Sequence, residues 1–286
     1  MHVFLAGSTG VLGRRIVPLL IAQGHQVTAL TRRQEAAATL TGAGAEPVLA
    51  DVLDAEAVAH AIRVAAPDVV MHQLTDLGAG SSAANAEMRV TGTRNLVDAA
   101  KAAGVGRIIA QSVAWAYEPG DAPATEDTPL DADAPAPRET TVRGVTALES
   151  AVRELPDWVV LRYGLLYGPE TWYAPGGLMA DNAQAGKLTA DRGVSSFVQV
   201  ADAAAAAVAA LDWPSGAVNV CDDEPAPARE WLPEFCAAIG APVPEPTGDR
   251  EGWARGADNG RARAELGWTP RYPSWRAGFA ALAELG

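Results

Sequence analysis

Residues 2–13 read His2-Val3-Phe4-Leu5-Ala6-Gly7-Ser8-Thr9-Gly10-Val11-Leu12-Gly13. The first five form an apolar run of strand length. The next seven spell G-x-x-G-x-x-G. Val11, Leu12, Ile16, Leu19 and Leu20 then recur with helical spacing. Strand, glycine turn and helix in that order make a cradle for a dinucleotide pyrophosphate. Glycine lets the backbone approach the phosphates, and the helix start offers free N–H groups and its positive dipole end. Three glycines at this spacing also cost helix entropy, which a turn without a ligand has no reason to carry.

Outward from this stretch, strand and helix patterns alternate. Strands are expected at 2–6, 26–31, 46–50, 68–74, 107–112 and 158–162. Helices are expected at 11–23, 34–42, 54–65, 83–103 and 139–154. The alternation predicts an α/β, Rossmann-like, doubly wound parallel sheet with helices on both faces. The ligand then lies at the carboxyl ends of the strands. Residues 115–137 carry Pro119, Pro123, Pro129, Pro135 and Pro137 without periodicity, a long loop of the kind that is functional or flexible. Five of the eight tryptophans follow residue 210, which suits the packing of a smaller lobe. The expected division is a dinucleotide-binding domain over 1–165 and a substrate lobe over 166–286, partly interleaved with it.

The 286 residues carry a formal net charge of -13, with no basic run longer than two. That argues against nucleic acid and against an anionic membrane as partners. No apolar run reaches membrane-spanning length and the first residues read as a strand, so a cytoplasmic enzyme is expected. Cys221 and Cys236 read as buried thiols, and four scattered histidines give no metal-ligand spacing. The partner is a small molecule, and a homodimer stays open.

Strand 26–31 ends in Thr31-Arg32-Arg33. A carboxylate there would accept from a ribose 2′-hydroxyl. Two guanidiniums instead suit a 2′-phosphate, and Arg14 faces the same way, so NADP(H) is the expected cofactor. Asp51 and Val52 are placed to meet the adenine, although Asp51 also suits a helix cap. His72, inside an apolar strand, reads as a buried, satisfied histidine.

These residues resemble the extended or atypical short-chain dehydrogenase/reductases of the NAD-dependent epimerase/dehydratase type. The resemblance runs through Gly7-x-x-Gly10-x-x-Gly13, Asp51-Val52, Val69-Val70-Met71-His72-Gln73-Leu74 and Val90-x-Gly92-Thr93-x-Asn95-Leu96. It continues in Leu161-Arg162-Tyr163-Gly164-Leu165-Leu166-Tyr167-Gly168-Pro169 and in Phe197-Val198-Gln199-Val200-Ala201-Asp202-Ala203-Ala204. It implies dinucleotide contacts from Gln73, Leu74, Thr75, Tyr163 and Leu165 as well as from the cradle. The family's Tyr-x-x-x-Lys, in which lysine holds the ribose and lowers the tyrosine pKa, has no counterpart. Thr141 and Val145 take its positions, and neither Lys101 nor Lys187 has a tyrosine four residues before it.

Other groups are therefore candidates for the chemistry: Ser112 first, at the end of strand 107–112, then Tyr117, then Asp76. Substrate contacts are expected from Trp115, Tyr167, Trp172 and Tyr173, although tyrosines in turns like that of Tyr167 also serve structure. The leading expectation is an NADP-dependent oxidoreductase acting on a carbonyl, alcohol or enone. The alternatives are a lyase, isomerase or cyclase with a structural nucleotide, or an NADP-binding sensor.

Overall fold

The computed structural model describes residues 1–75 and 82–282. The strands are β1 (His2–Ala6), β2 (Gln26–Thr31), β3 (Glu46–Leu49), β4 (Val69–His72), β5 (Arg107–Val113), β6 (Asp157–Tyr163), β7 (Leu165–Tyr167), β8 (Val194–Ser195), β9 (Phe197–Gln199), β10 (Gly216–Val220) and β11 (Ala226–Pro227). The helices are α1 (Gly13–Ala22), α2 (Ala37–Gly42), α3 (Ala55–Ala65), α4 (Ser82–Glu87), α5 (Thr93–Ala102), α6 (Arg138–Val152), α7 (Leu178–Gln184), α8 (Val200–Ala209), α9 (Ala228–Ile239), α10 (Gly260–Ala264) and α11 (Trp275–Leu282).

Seven strands form one sheet in the order β10-β6-β5-β4-β1-β2-β3. The pairs β5–β4, β4–β1, β1–β2 and β2–β3 all run parallel. This is the α/β, doubly wound architecture that the alternation predicts. Strand order reverses between β1 and β4, so the turn after β1 opens at the switch point where such sheets bind ligands. The two small sheets are β11–β8 and β7–β9.

The chain divides into two compact units. The first comprises Met1–Ser112, Ala132–Leu161 and Ala207–Ala217; the second comprises Val113–Asp131, Arg162–Ala206 and Val218 onward. The first unit's core joins Phe4, Leu30, Ile62, Val70, Leu96, Ile108, Leu148 and Val160. Helix α3 shows how sequence sets an element: Asp54 caps its N-terminus by accepting from the Ala57 amide at 3.0 Å, and Val58, Ala61 and Ile62 form its buried face. Asp51 is not that cap; it accepts from the Leu53 amide at 3.0 Å and closes the turn before it.

The expected helix 83–103 is interrupted by a π-helical turn, Met88–Gly92, between α4 and α5. Gly92 presses on Val52 there, 3.1 Å separating a Cβ built on the glycine from Val52 Cγ1. The second unit's core is aromatic: Tyr167, Tyr173, Phe197, Trp231, Phe235, Trp275 and Phe279. Its segment Val113–Asp131 is tied down by backbone bonds, among them Glu118 N to Pro129 O (3.0 Å), Asp131 N to Ala116 O (2.9 Å) and Ala124 N to Gly256 O (3.0 Å). That part of the long loop is paired backbone, which the absence of periodicity could not show.

Candidate active site

The glycine turn is built by close approach. A Cβ on Gly7 would lie 2.5 Å from the Gln73 carbonyl oxygen, and Gly7 has φ +97°, a conformation that glycine adopts without strain. A Cβ on Gly13 would lie 2.1 Å from the Gly7 oxygen. Gly10 N donates to Gly7 O at 3.0 Å and closes the turn. Ser8 is buried and donates to Leu30 O at 2.8 Å, which ties the cradle to β2. Thr9 and Val11 lie half-buried on the turn, with Leu12 buried beneath. Such a cradle, packed backbone to backbone and opening at the start of α1, fits a dinucleotide pyrophosphate.

Around it, Thr31 is buried at the end of β2 and its Oγ1 accepts from the Arg33 amide at 3.1 Å. Arg32 and Arg33 are exposed at the same strand end, and Arg14 is exposed on α1. Val52 is buried, and Asn95 Nδ2 donates to its carbonyl at 2.8 Å. Gln73 extends β4 by donating from its amide to Ala6 O at 2.8 Å; Leu74 and Thr75 follow, half-buried. Asp76 lies outside the described residues. His72 is fully buried, with Nε2 2.8 Å from Thr93 Oγ1. Burial first, and the Arg89 charge second, push its pKa down to about 4.

The hydroxyls are already engaged. Ser112 Oγ donates to Glu149 Oε1 on α6 at 2.8 Å, and both residues are buried. Tyr117 donates to Asn219 Oδ1 and accepts from Arg162 at 3.1 Å. Burial raises its pKa despite the neighbouring Arg162. A phenol held in that way is neither an acid nor a base near neutral pH. On α6, Thr141 is half-buried and Val145 is buried.

Tyr167 and Tyr173, expected to contact substrate, pack among aromatic rings. Both are core residues of the second unit, Tyr167 at 0 % and Tyr173 at 5 % exposure. Tyr167 packs edge-on to Phe197 and Phe279, and Tyr173 to Phe197 and Phe235. Trp172, between them, stays 37 % exposed, and Trp115 is half-buried. Tyr163 is buried and donates to Ala203 O at 3.4 Å; Leu165 packs against the aromatic core. Two residues that sequence reasoning did not single out are Glu149 and Arg89. Their only signal is a charge inside an apolar helical pattern.

The first unit's fold and cradle define a dinucleotide-dependent α/β protein. A match to the NAD dependent epimerase/dehydratase family model spans residues 3–221. The chain belongs to that family, and it is an enzyme of it. It is 45 % identical over 305 residues to a 3-diazoavenalumate denitrifying reductase from a Streptomyces species, covering 98 % of this chain and 99 % of that one. It is 29 % identical to a 2-alkyl-3-oxoalkanoate reductase from Stenotrophomonas maltophilia, covering 85 % and 77 %. Among solved structures it resembles a Thermus thermophilus UDP-glucose 4-epimerase in complex with NAD, with 25 % identity, TM-score 0.77 and 99 % and 98 % of the two chains covered. The Bordetella bronchiseptica enzyme WbmG in complex with NAD and UDP is similar in fold at 24 % identity and TM-score 0.77.

Among the described residues no helix is long and apolar enough to cross a membrane.

Proposed function

We propose that this enzyme is an NADPH-dependent reductase that removes a diazonium group from a small carboxylate. The observation that carries the reading is its 45 % identity, end to end, with the denitrifying reductase. The side chains support it. A ketone becomes an alkoxide when it accepts hydride, and a positioned acid must protonate it. This chain has no Tyr-x-x-x-Lys, the Ser112 hydroxyl donates its hydrogen bond to Glu149, and Tyr117 is locked between Asn219 and Arg162. When bound, the reduced dinucleotide supplies hydride, and a diazonium carbon that exchanges its C–N bond for C–H releases dinitrogen, balances its charge and leaves no oxygen to protonate. The protein's task is then to hold two reactants face to face and exclude water.

In this reading residues 1–165 hold the dinucleotide and 166–286 supply most substrate contacts. Gly7, Gly10 and Gly13 cradle the pyrophosphate, Val52 and Asp51 meet the adenine, and Arg32 and Arg33 pair with the 2′-phosphate. Trp115 and Trp172 remain the candidates at the substrate mouth, formed by the segments 115–137 and 167–177. The enzyme works in the cytoplasm on a small molecule, without nucleic acid or membrane as partner.

The test offers aryl diazonium carboxylates and 3-oxoalkanoates in parallel, following NADPH absorbance and dinitrogen release against enzyme-free controls. Equimolar NADPH loss and dinitrogen with the diazonium compounds is expected. Reduction of the oxoalkanoates alone would replace the reading with a ketoreductase. Turnover without absorbance change would mean a structural nucleotide. For the cofactor, Arg32→Ala should lose about 1.5–3 kcal/mol of NADP+ affinity and leave NAD+ unchanged by calorimetry. Tighter NAD+ binding by the unmodified protein would overturn the NADP assignment.

A further inference from the structure

Three arginines far apart in the sequence meet on the second unit. Arg192, Arg229 and Arg250 line one cleft of about 510 Å³, with Val194 and Pro227 as its apolar lining. That is the size of a small-molecule site. Backbone bonds build the meeting. β8 and β11 pair Val194 with Pro227. The Arg229 amide donates to Asp191 O at 2.9 Å, and the Arg192 amide donates to Asp249 O at 3.2 Å. Arg250 Nη2 donates to Gly120 O at 2.9 Å, which brings Asp121 to the same cleft. Positive charge is thereby gathered in a chain whose formal net charge is -13.

The carboxylates around the cleft leave part of that charge uncompensated. Asp121 pairs with Arg250 at 2.9 Å. Asp191 accepts from the Gly193 amide at 2.8 Å, and Glu230 lies 3.7 Å from Arg276. No described carboxylate pairs with Arg192 or Arg229, and both are exposed. Among the described residues that line the cleft, Asp249 is the acid left to oppose them. Two guanidiniums therefore face one carboxylate, an excess of a single positive charge. Arg229 also stands in the first turn of α9, where the helix dipole disfavours a cation and favours an anion. The first amides of that helix are engaged, Ala228 N with Gly193 O and Arg229 N with Asp191 O, both at 2.9 Å. An anion here is held by guanidiniums and not by the helix end.

We propose that this cleft is a binding site for an organic carboxylate with an apolar body. A single excess charge matches a monoanion better than a dianionic phosphate. Guanidiniums take a carboxylate through paired N–H donors, and Val194 with Pro227 offers apolar surface to the rest of the ligand. The site shares no residue with the glycine cradle or the strand-end arginines, and it fills independently of the dinucleotide.

Titration of benzoate into the isotope-labelled whole chain, followed by amide NMR shifts, tests it with and without saturating NADP+. Benzoate should shift the Gly193, Arg229 and Gly248 amides with one dissociation constant, unchanged by NADP+. Benzamide, its uncharged isostere, should leave them in place, and phenyl phosphate should bind no more tightly than benzoate. Arg192→Ala combined with Arg229→Ala should weaken benzoate by about tenfold or more, the loss of two charge-assisted contacts at an open site. Both side chains are exposed, so the melting temperature should match that of the unmodified protein. Should the double variant melt lower, Arg192→Gln and Arg229→Gln singly carry the same test, each expected about threefold weaker. Asp249→Asn should tighten binding by removing the opposing charge. Equal shifts with benzamide, or unchanged benzoate affinity in the arginine variants, would overturn the site. Tighter binding of phenyl phosphate would overturn the carboxylate assignment, and shifts confined to residues outside the cleft would overturn both.

Discussion

The glycine cradle of the first unit and the aromatic core of the second are built on opposite principles. The cradle works by removing side chains. Gly7 and Gly13 stand where any Cβ would strike backbone, so the chain passes close to itself there. The aromatic core works by filling space. Tyr173 alone has ring neighbours Phe197, Trp231, Phe235 and Phe279 at 5.2–6.2 Å. A change in the cradle should therefore cost binding as well as stability, and a change in the aromatic core should cost stability before binding.

The sharpest way to break this contrast is Gly13→Ala. Its Cβ would meet Gly7 O at 2.1 Å and Ser8 Cα at 2.6 Å, all backbone that cannot swing aside. Dinucleotide affinity should fall at least about a hundredfold, roughly 2.7 kcal/mol, by calorimetry. A variant with unmodified affinity would show that the turn is not a phosphate cradle.

On the other side of the comparison, Tyr173→Ala should destabilise by about 3–5 kcal/mol in urea denaturation, because a buried ring leaves a cavity among four others. Trp172→Ala, next door but 37 % exposed, should cost under about 0.5 kcal/mol. Equal costs would mean that the two side chains share one environment.

His72 sharpens the contrast within the first unit, where one polar side chain is buried instead of removed. Its pKa is about 4 in the folded protein against 6.5 ordinarily. Between those values the unfolded chain binds the extra proton, so stability rises with pH across that window and is lost as pH falls through it. The full difference is up to about 3 kcal/mol. Melting temperatures of the unmodified protein and of His72→Gln, compared from pH 7 to pH 4, check it. The variant should lose less than the unmodified protein; parallel curves would place the acid sensitivity elsewhere.

The two units also differ in how much of them is legible in the sequence. β1, β2 and the cradle follow from local rules: an apolar run, glycines at fixed spacing, a helix start. Expected and observed bounds coincide for 2–6 and 26–31. Buried His72 follows from its apolar strand. The π-helical turn does not, because one extra residue in a helical turn leaves the apolar periodicity nearly intact. Arg89 is hidden for the same reason. The burial of Tyr167 and Tyr173 is not legible either, because their segment, rich in glycine and proline, reads as a loop. The rings that bury them, Phe197, Trp231, Phe235 and Phe279, lie at least 24 residues further along the chain. Local pattern carries no record of such partners.

The smallest expected effect decides what Tyr167 is for. Its ring lies against α11, where a Cβ built on Gly278 would be 2.1 Å from Tyr167 Cε2. The glycine has made room for the ring, as a core contact requires. Yet the hydroxyl is buried with no hydrogen-bond partner among the described residues, and burial, then Asp222, hold its pKa above the ordinary phenol value. A buried hydroxyl without a partner keeps its desolvation penalty and gains nothing in return. Tyr167→Phe removes that oxygen and keeps the ring contacts with Phe197 and Phe279. Its melting point should rise, by about 1 kcal/mol in stability, with the rate of reduced-dinucleotide oxidation unchanged. A contact to substrate predicts the reverse: lower turnover or weaker substrate binding, with stability unmoved. That result would move Tyr167 out of the packing core and into the site.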